Sequence, residues 1–170
     1  RLALAFGIVS VLLVVLIVAG SLSLNRVKAS NDAIVIERMP RIEATQTLLS
    51  DVNDIAIALR NMILTSNEMD RAQQAQNVRA SRAKMEETLQ YFDRVLDRPR
   101  GRELLGQIRK ETELYIAGQE KLIAIAKAGD VEAFRAVLTD EVRPVLARLK
   151  KAAGELVQFQ KELTAQSTRE

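Results

Sequence analysis

One arginine lies where a predicted helix should be apolar, and it is the residue best placed to do chemistry. Arg82 occupies a position on the apolar stripe that also carries Val78 and Met85. A charge in such a place is costly unless it is paired or solvated. Guanidinium groups bind carboxylates through two parallel hydrogen bonds. Arg82 therefore indicates either a binding site for a small anion or an internal ion pair.

Further polar groups are expected near Arg82 in a helical bundle. Thr112, Tyr115 and Gln119 lie on the apolar stripe of the next predicted helix, and Arg79 is three residues from Arg82 on the same side. Three more polar residues are expected at similar heights on the first and fourth helices: Arg60, Arg135 and Thr139. Several converging arginines require an anion. The sequence thus predicts a carboxylate ligand, a di- or tricarboxylate such as malate or citrate.

Two alternatives remain open for these residues. Arg82 would also be satisfied if its long side chain reached solvent, or if it paired with Glu86 or another internal acid. Arg135 is equally compatible with a solvated position beside the apolar stripe.

Composition removes several functional classes. The 170 residues include no cysteine and no histidine, so disulfides, thiolate chemistry and the commonest general base are absent. No residue constellation pairs a nucleophile with a base, which predicts that the chain is not an enzyme and uses no metal or cofactor. The net charge of +3 is spread along helix faces and does not indicate nucleic-acid binding.

Apolar residues recur at alternating steps of three and four, which predicts long amphipathic helices. Turn signals separate them at Thr65–Glu68, Arg98–Gly101 and Gly129–Asp130. The predicted helices span about 25–65, 70–97, 102–128 and 131–165. Short turns make sequential helices antiparallel neighbours. We therefore predict an all-α protein, an up-down-up-down antiparallel four-helix bundle preceded by one transmembrane helix.

Two details of these helices are ambiguous. In the first helix a second apolar stripe of Leu48, Ile55 and Met62 lies beside the main one. It is compatible with contact to a second copy or with one wide core stripe. In the fourth helix Pro144 should produce a kink, but the apolar rhythm continues, so one bent helix is predicted.

The N-terminal stretch is apolar and uncharged from Leu2 to Leu24. At about 1.5 Å of rise per residue, such a helix is long enough to cross a hydrocarbon core of about 30 Å. A cleaved signal peptide is the alternative, although the stretch is longer than usual for one. We predict that residues 1–24 form a membrane anchor and that residues 25–170 form a ligand-binding domain, with the chain being a fragment of a larger protein.

This arrangement resembles the ligand-binding region of bacterial methyl-accepting chemotaxis receptors of the four-helix-bundle class. Residues 59–64 resemble the segment that carries a ligand-binding arginine, and residues 130–135 with 138–139 resemble the stretch around a ligand-contacting aromatic residue and threonine. The resemblance implies ligand-binding roles for Arg60, Phe134 and Thr139. It also implies a homodimer through the first helix and a periplasmic bundle anchored in the bacterial inner membrane.

Three functions are compatible with the sequence. The first is a chemoreceptor sensor that passes the signal through its fourth helix. The second is the same sensor module attached to a histidine kinase or another signalling output. The third is a membrane-tethered structural coiled coil without a ligand.

Overall fold

The computed structural model of the protein describes residues 13, 15–22, 24, 28 and 38–167. The elements with assigned bounds are α1 (Met39–Leu64), α2 (Glu68–Val95), α3 (Pro99–Ala128), α4 (Val131–Val137), a π-helical segment (Leu138–Val142) and α5 (Arg143–Ser167). The last three follow one another without a break, and together they form the fourth helix of the bundle. The predicted start of the first helix, at residues 25–37, lies almost entirely outside the described residues.

Local chemistry explains where the helices begin and end. The side chain of Asn67 accepts a hydrogen bond of 2.9 Å from the backbone N–H of Met69 and so caps α2. Pro99 occupies the first turn of α3, where its missing N–H is not needed. Gly129 ends α3 with a left-handed φ of 73°, which costs a glycine little. Asp130 then caps α4 by accepting from Ala133 N at 2.9 Å.

Contacts between helices establish the antiparallel order. In α2 and α3, Arg82 contacts Glu120 whereas Asp93 contacts Arg109, so the chain directions are opposed. In α3 and the fourth helix, residue 100 lies beside residue 155 and residue 121 beside residue 141. The most extensive packing joins α1 to α2 and α3 to α5. The described part is almost entirely helical and is arranged as a four-helix bundle.

The core fills the space between the four helices. Leu48, Ile55 and Met62, the second stripe of the first helix, are completely buried. Val52 and Leu59 from the first stripe are buried beside them. Both stripes of α1 thus contribute to one wide core within the protomer, which is the simpler of the two arrangements that the sequence allowed.

The fourth helix departs from the expected single bent α-helix. The backbone N–H of Arg143 bonds to the carbonyl of Leu138, five residues earlier, and this is the hydrogen bond of a π turn. Pro144 follows directly and has no N–H to donate. In a continuous α-helix its ring would crowd the carbonyl of residue 140. The wider π turn before Pro144 relieves that crowding, so the helix passes the proline without ending.

The predicted anchor, residues 1–24, lies mainly outside the described residues. Residues 15–22 are helical, and their large side chains are exposed, Leu16 at 68% and Ile17 at 64%. Among the residues that the structure describes, no helix is both long and apolar enough to cross a membrane.

Candidate functional site

Arg82 connects α2 to α3 through two polar contacts. Its Nε donates to Oε1 of Gln119 over 2.6 Å, and its Nη1 forms an ion pair with the carboxylate of Glu120. The Arg82 side chain is only 17% exposed, so these contacts lie at the edge of the core. Glu86, one of the partners that the sequence suggested, instead lies 3.8 Å from Arg109. Arg82 is thus held within the bundle and is not extended into solvent.

Tyr115 lies in α3 one turn before Gln119, and it connects α3 to α1. Its hydroxyl donates to the backbone carbonyl of Val52 over 3.3 Å, and the residue is only 1% exposed. Burial raises the pKa of the phenol, and the nearby positive charge of Arg82 opposes that shift. Tyr115 therefore remains a neutral hydrogen-bond donor at physiological pH.

Several hydrogen-bond donors in this region lack an acceptor. Nη2 of Arg82, Nε2 of Gln119 and the hydroxyl of Thr112 are buried and have no hydrogen-bond partner among the described residues. Gln119 is completely buried, so solvent does not reach its amide. Leaving such a group unsatisfied costs about 1–3 kcal/mol. We call Arg82, Thr112, Tyr115 and Gln119 the donor cluster; its chemistry is suited to an anion with several oxygen atoms.

The other residues predicted for the site are exposed or belong to the core. Arg60 and Arg79 are exposed on α1 and α2. The Arg135 side chain is 70% exposed and pairs with Glu132 at 3.6 Å. Thr139 is exposed on the π-helical segment, whereas Phe134 is 4% exposed and belongs to the hydrophobic core.

Sequence reasoning missed two groups that contact the cluster. Glu120 lies beside the apolar stripe, and no periodicity singles it out. The only indication of a role for Glu120 in the sequence was its neighbour Gln119, which lies on the stripe. The Val52 carbonyl belongs to the backbone, and its acceptance of the Tyr115 hydroxyl has no signal in the side-chain pattern. In the described part of the chain, no cluster of acidic side chains is arranged to hold a metal ion.

Comparison with known proteins supports the architecture. No curated protein matches the chain. A family model described as a four-helix-bundle sensory module for signal transduction matches residues 1–170, the whole sequence. With its antiparallel bundle, the chain thus belongs to the family of four-helix-bundle sensory modules for signal transduction of methyl-accepting chemoreceptors.

Proposed function

We propose that this sensory module binds a small organic acid, a di- or tricarboxylate such as malate or citrate, at the donor cluster. The observation that carries the proposal is the pair of buried, unpartnered donors at Arg82 Nη2 and Gln119 Nε2. They belong to two side chains already joined to each other at 2.6 Å, so one carboxylate is able to accept from both. The unpartnered Thr112 hydroxyl would add a third donor, whereas the Tyr115 hydroxyl would donate to the acid only by giving up its bond to the Val52 carbonyl.

The route to the output passes through the fourth helix. Gly118 is adjacent to Gln119 in α3, and its backbone lies against Val142 of the π-helical segment. A ligand that shifts α3 at Gln119 would therefore change the packing of the fourth helix one residue away. Such a shift needs only that the ligand prefers one of two packings, which is the general requirement for conformational signalling.

The membrane arrangement follows the same proposal. Residues 1–24 would anchor the chain in the bacterial inner membrane, with the bundle in the periplasm and a homodimer formed through the first helix. The exposed apolar side chains of helical residues 15–22 support an anchor, because a run of such side chains is unfavourable in water. Membership in a signal-transduction family supports a sensor over a structural coiled coil.

Isothermal titration of the detergent-solubilised chain with malate, citrate and succinate tests the ligand. We expect saturable binding to at least one acid, and a loss of at least tenfold in affinity for Arg82→Ala. Gln119→Glu keeps an acceptor for Arg82 but adds a negative charge, so it should abolish acid binding without unfolding the bundle. Arg94→Ala, an exposed arginine on the same helix, is the matched control. Equal affinities for the wild type and Arg82→Ala would contradict the proposal.

A further inference from the structure

The charge of the donor cluster is already neutralised by a carboxylate of the protein itself. Nη1 of Arg82 forms an ion pair with Glu120, and Nε of the same guanidinium donates to Gln119. Nη2 has no partner among the described residues. The other members of the cluster are uncharged, so the cluster and Glu120 together have no net charge. An acid that approaches Arg82 therefore meets a guanidinium whose positive charge is in use.

The two residues that hold Arg82 differ in their freedom to leave it. Gln119 is completely buried, so its amide has no access to water. The Glu120 side chain is 61% exposed, and Arg82 is its only ion-pair or hydrogen-bond partner in the described part of the chain. Rotation about the side-chain bonds of Glu120 would return its carboxylate to water, and exposed ion pairs contribute little to stability. Gln119 is thus a fixed part of the site, and Glu120 is a movable one.

A ligand carboxylate at Nη2 would compete with Glu120. Nη1 and Nη2 are bonded to the same carbon atom of Arg82, so carboxylates on both nitrogens would lie side by side. Like charges at that separation repel, and one guanidinium neutralises only one of them. A carboxylate binds a guanidinium most strongly through parallel bonds to two nitrogens. Because Nε is held by Gln119, that arrangement requires Nη1 as well as Nη2, and Nη1 is held by Glu120.

We infer that Glu120 is an internal competitor that occupies Arg82 until a ligand acid displaces it, an inference that rests on the proposed acid binding at the donor cluster. In this exchange the acid takes over Nη1 and also provides acceptors for Nη2 and for Nε2 of Gln119, which lack them in the free protein. The Glu120 carboxylate moves into solvent. The two added hydrogen bonds favour the exchange.

The competitor also makes the site selective for anions. A neutral acceptor such as an amide forms weaker bonds with a guanidinium than a carboxylate does, so it does not displace Glu120. An anion, in contrast, replaces the charge-assisted contact that is lost. Glu120 thus excludes neutral polar molecules through an unfavourable exchange, which is one of the two ways in which a site discriminates between ligands.

Isothermal titration of the full 170-residue chain in a non-ionic detergent at pH 7 tests the inference. The probes are malate, citrate and succinate, with succinamide as the uncharged analogue of succinate. Glu120→Gln keeps the length of the side chain and removes the charge, so we expect it to bind an acid at least threefold more tightly than the wild type. Glu113→Gln is the matched control, since it removes an exposed charge from the same face of α3 about two turns earlier and should leave the affinity unchanged.

The outcomes separate this inference from the proposed function. If the wild type binds an acid and Arg82→Ala does not, but Glu120→Gln binds it no more tightly than the wild type, the competitor is wrong and the acid site stands. Equal gains in Glu120→Gln and Glu113→Gln would also overturn the competitor, because net charge would explain them. Binding of succinamide to the wild type would contradict the selectivity for anions.

Two further outcomes concern both proposals. If neither the wild type nor Glu120→Gln binds any of the acids, or if Arg82→Ala leaves their binding unchanged, both proposals are wrong. Acid binding that occurs in Glu120→Gln and not in the wild type would support the competitor, and it would show that Glu120 keeps the wild-type site closed to these acids.

Discussion

Gly118 of α3 lies against Val142 of the π-helical segment so closely that no side chain fits between them. A Cβ atom added to Gly118 would lie 2.7 Å from Cγ2 of Val142. Gln119, the next residue in α3, accepts the hydrogen bond from Arg82. The irregular part of the fourth helix therefore contacts α3 one residue away from Gln119 of the donor cluster.

Gly118→Ala should destabilise the bundle because the added methyl group forces α3 and the fourth helix apart. We expect a loss of about 1–3 kcal/mol in the free energy of unfolding, measured by urea denaturation. Gly106→Ala in the same helix is the matched control, since a Cβ there meets no atom within 4 Å. It should gain up to about 1 kcal/mol from helix propensity. Equal effects of the two substitutions would show that the close contact does not constrain the packing.

Asp51→Asn should stabilise the protein at neutral pH. Burial raises the pKa of Asp51 above its usual value of 3.8. Between the unfolded and the raised folded pKa, the folded chain binds more protons, so the free energy of unfolding falls as pH rises through that window. At pH 7, above this window, the folded protein still bears the cost of a buried carboxylate. We expect a melting temperature about 2–5 °C above wild type at pH 7.

The advantage of Asp51→Asn should shrink as the pH falls through 3.8 and disappear well below it, where the aspartate is protonated in both states. Thermal denaturation followed by circular dichroism between pH 3 and pH 8 measures this dependence. The exposed Asp140→Asn provides the control and should follow the wild type at every pH. An advantage that stays constant across the pH range would assign the effect to packing rather than to ionisation.

Tyr115 should ionise late in an alkaline titration. The chain has two tyrosines, and burial raises the pKa of this one. Absorbance at 295 nm should therefore show a phenol that ionises only as the bundle unfolds. Tyr115→Phe should remove this late phase. A late phase that persists in Tyr115→Phe, or its absence from the wild-type protein, would contradict the burial of this phenol.

The apolar periodicity identified the inward-facing residues of the candidate site correctly, but it did not give the orientation of the residues beside the stripes. Arg82, Tyr115 and Gln119 lie on apolar stripes, and the structure brings them together because a stripe position faces the core. Arg60 and Arg135 each follow a buried residue, Leu59 and Phe134, and one step along a helix turns a side chain by about 100°. Turn counting gave their height along the bundle but not their direction, so the exposure of Arg60 was not anticipated, whereas for Arg135 the sequence had left a solvated position open.

The π-helical segment could not be recognised from the sequence for a related reason. Phe134, Leu138 and Val142 are spaced four residues apart, which an α-helix also tolerates over two turns. The extra residue changes the hydrogen-bond register without breaking the apolar pattern. Pro144 was the visible signal of irregularity, and it indicated a kink rather than the π turn that precedes it.

Removing one residue distinguishes the π-helical segment from ordinary helix. A π turn holds one residue more than the α-helical path needs, so deleting the exposed Asp140 should restore a regular helix with Phe134 and Leu149 still facing the core. The deletion is made together with Pro144→Ala, because a proline in the resulting continuous α-helix would clash with the preceding turn and cost about 3 kcal/mol.

The matched control deletes Ala147, an exposed residue of the regular part of α5, in the same Pro144→Ala background. That deletion turns every later residue by about 100° and moves Leu149 and Leu156 out of the core, which should cost several kcal/mol. In urea denaturation we expect the Asp140 deletion to remain within about 1 kcal/mol of Pro144→Ala alone, since its core contacts are retained. Equal destabilisation by both deletions would show that the extra residue is not confined to the π-helical segment. The segment would then be unable to accommodate the displacement of the fourth helix that signalling requires.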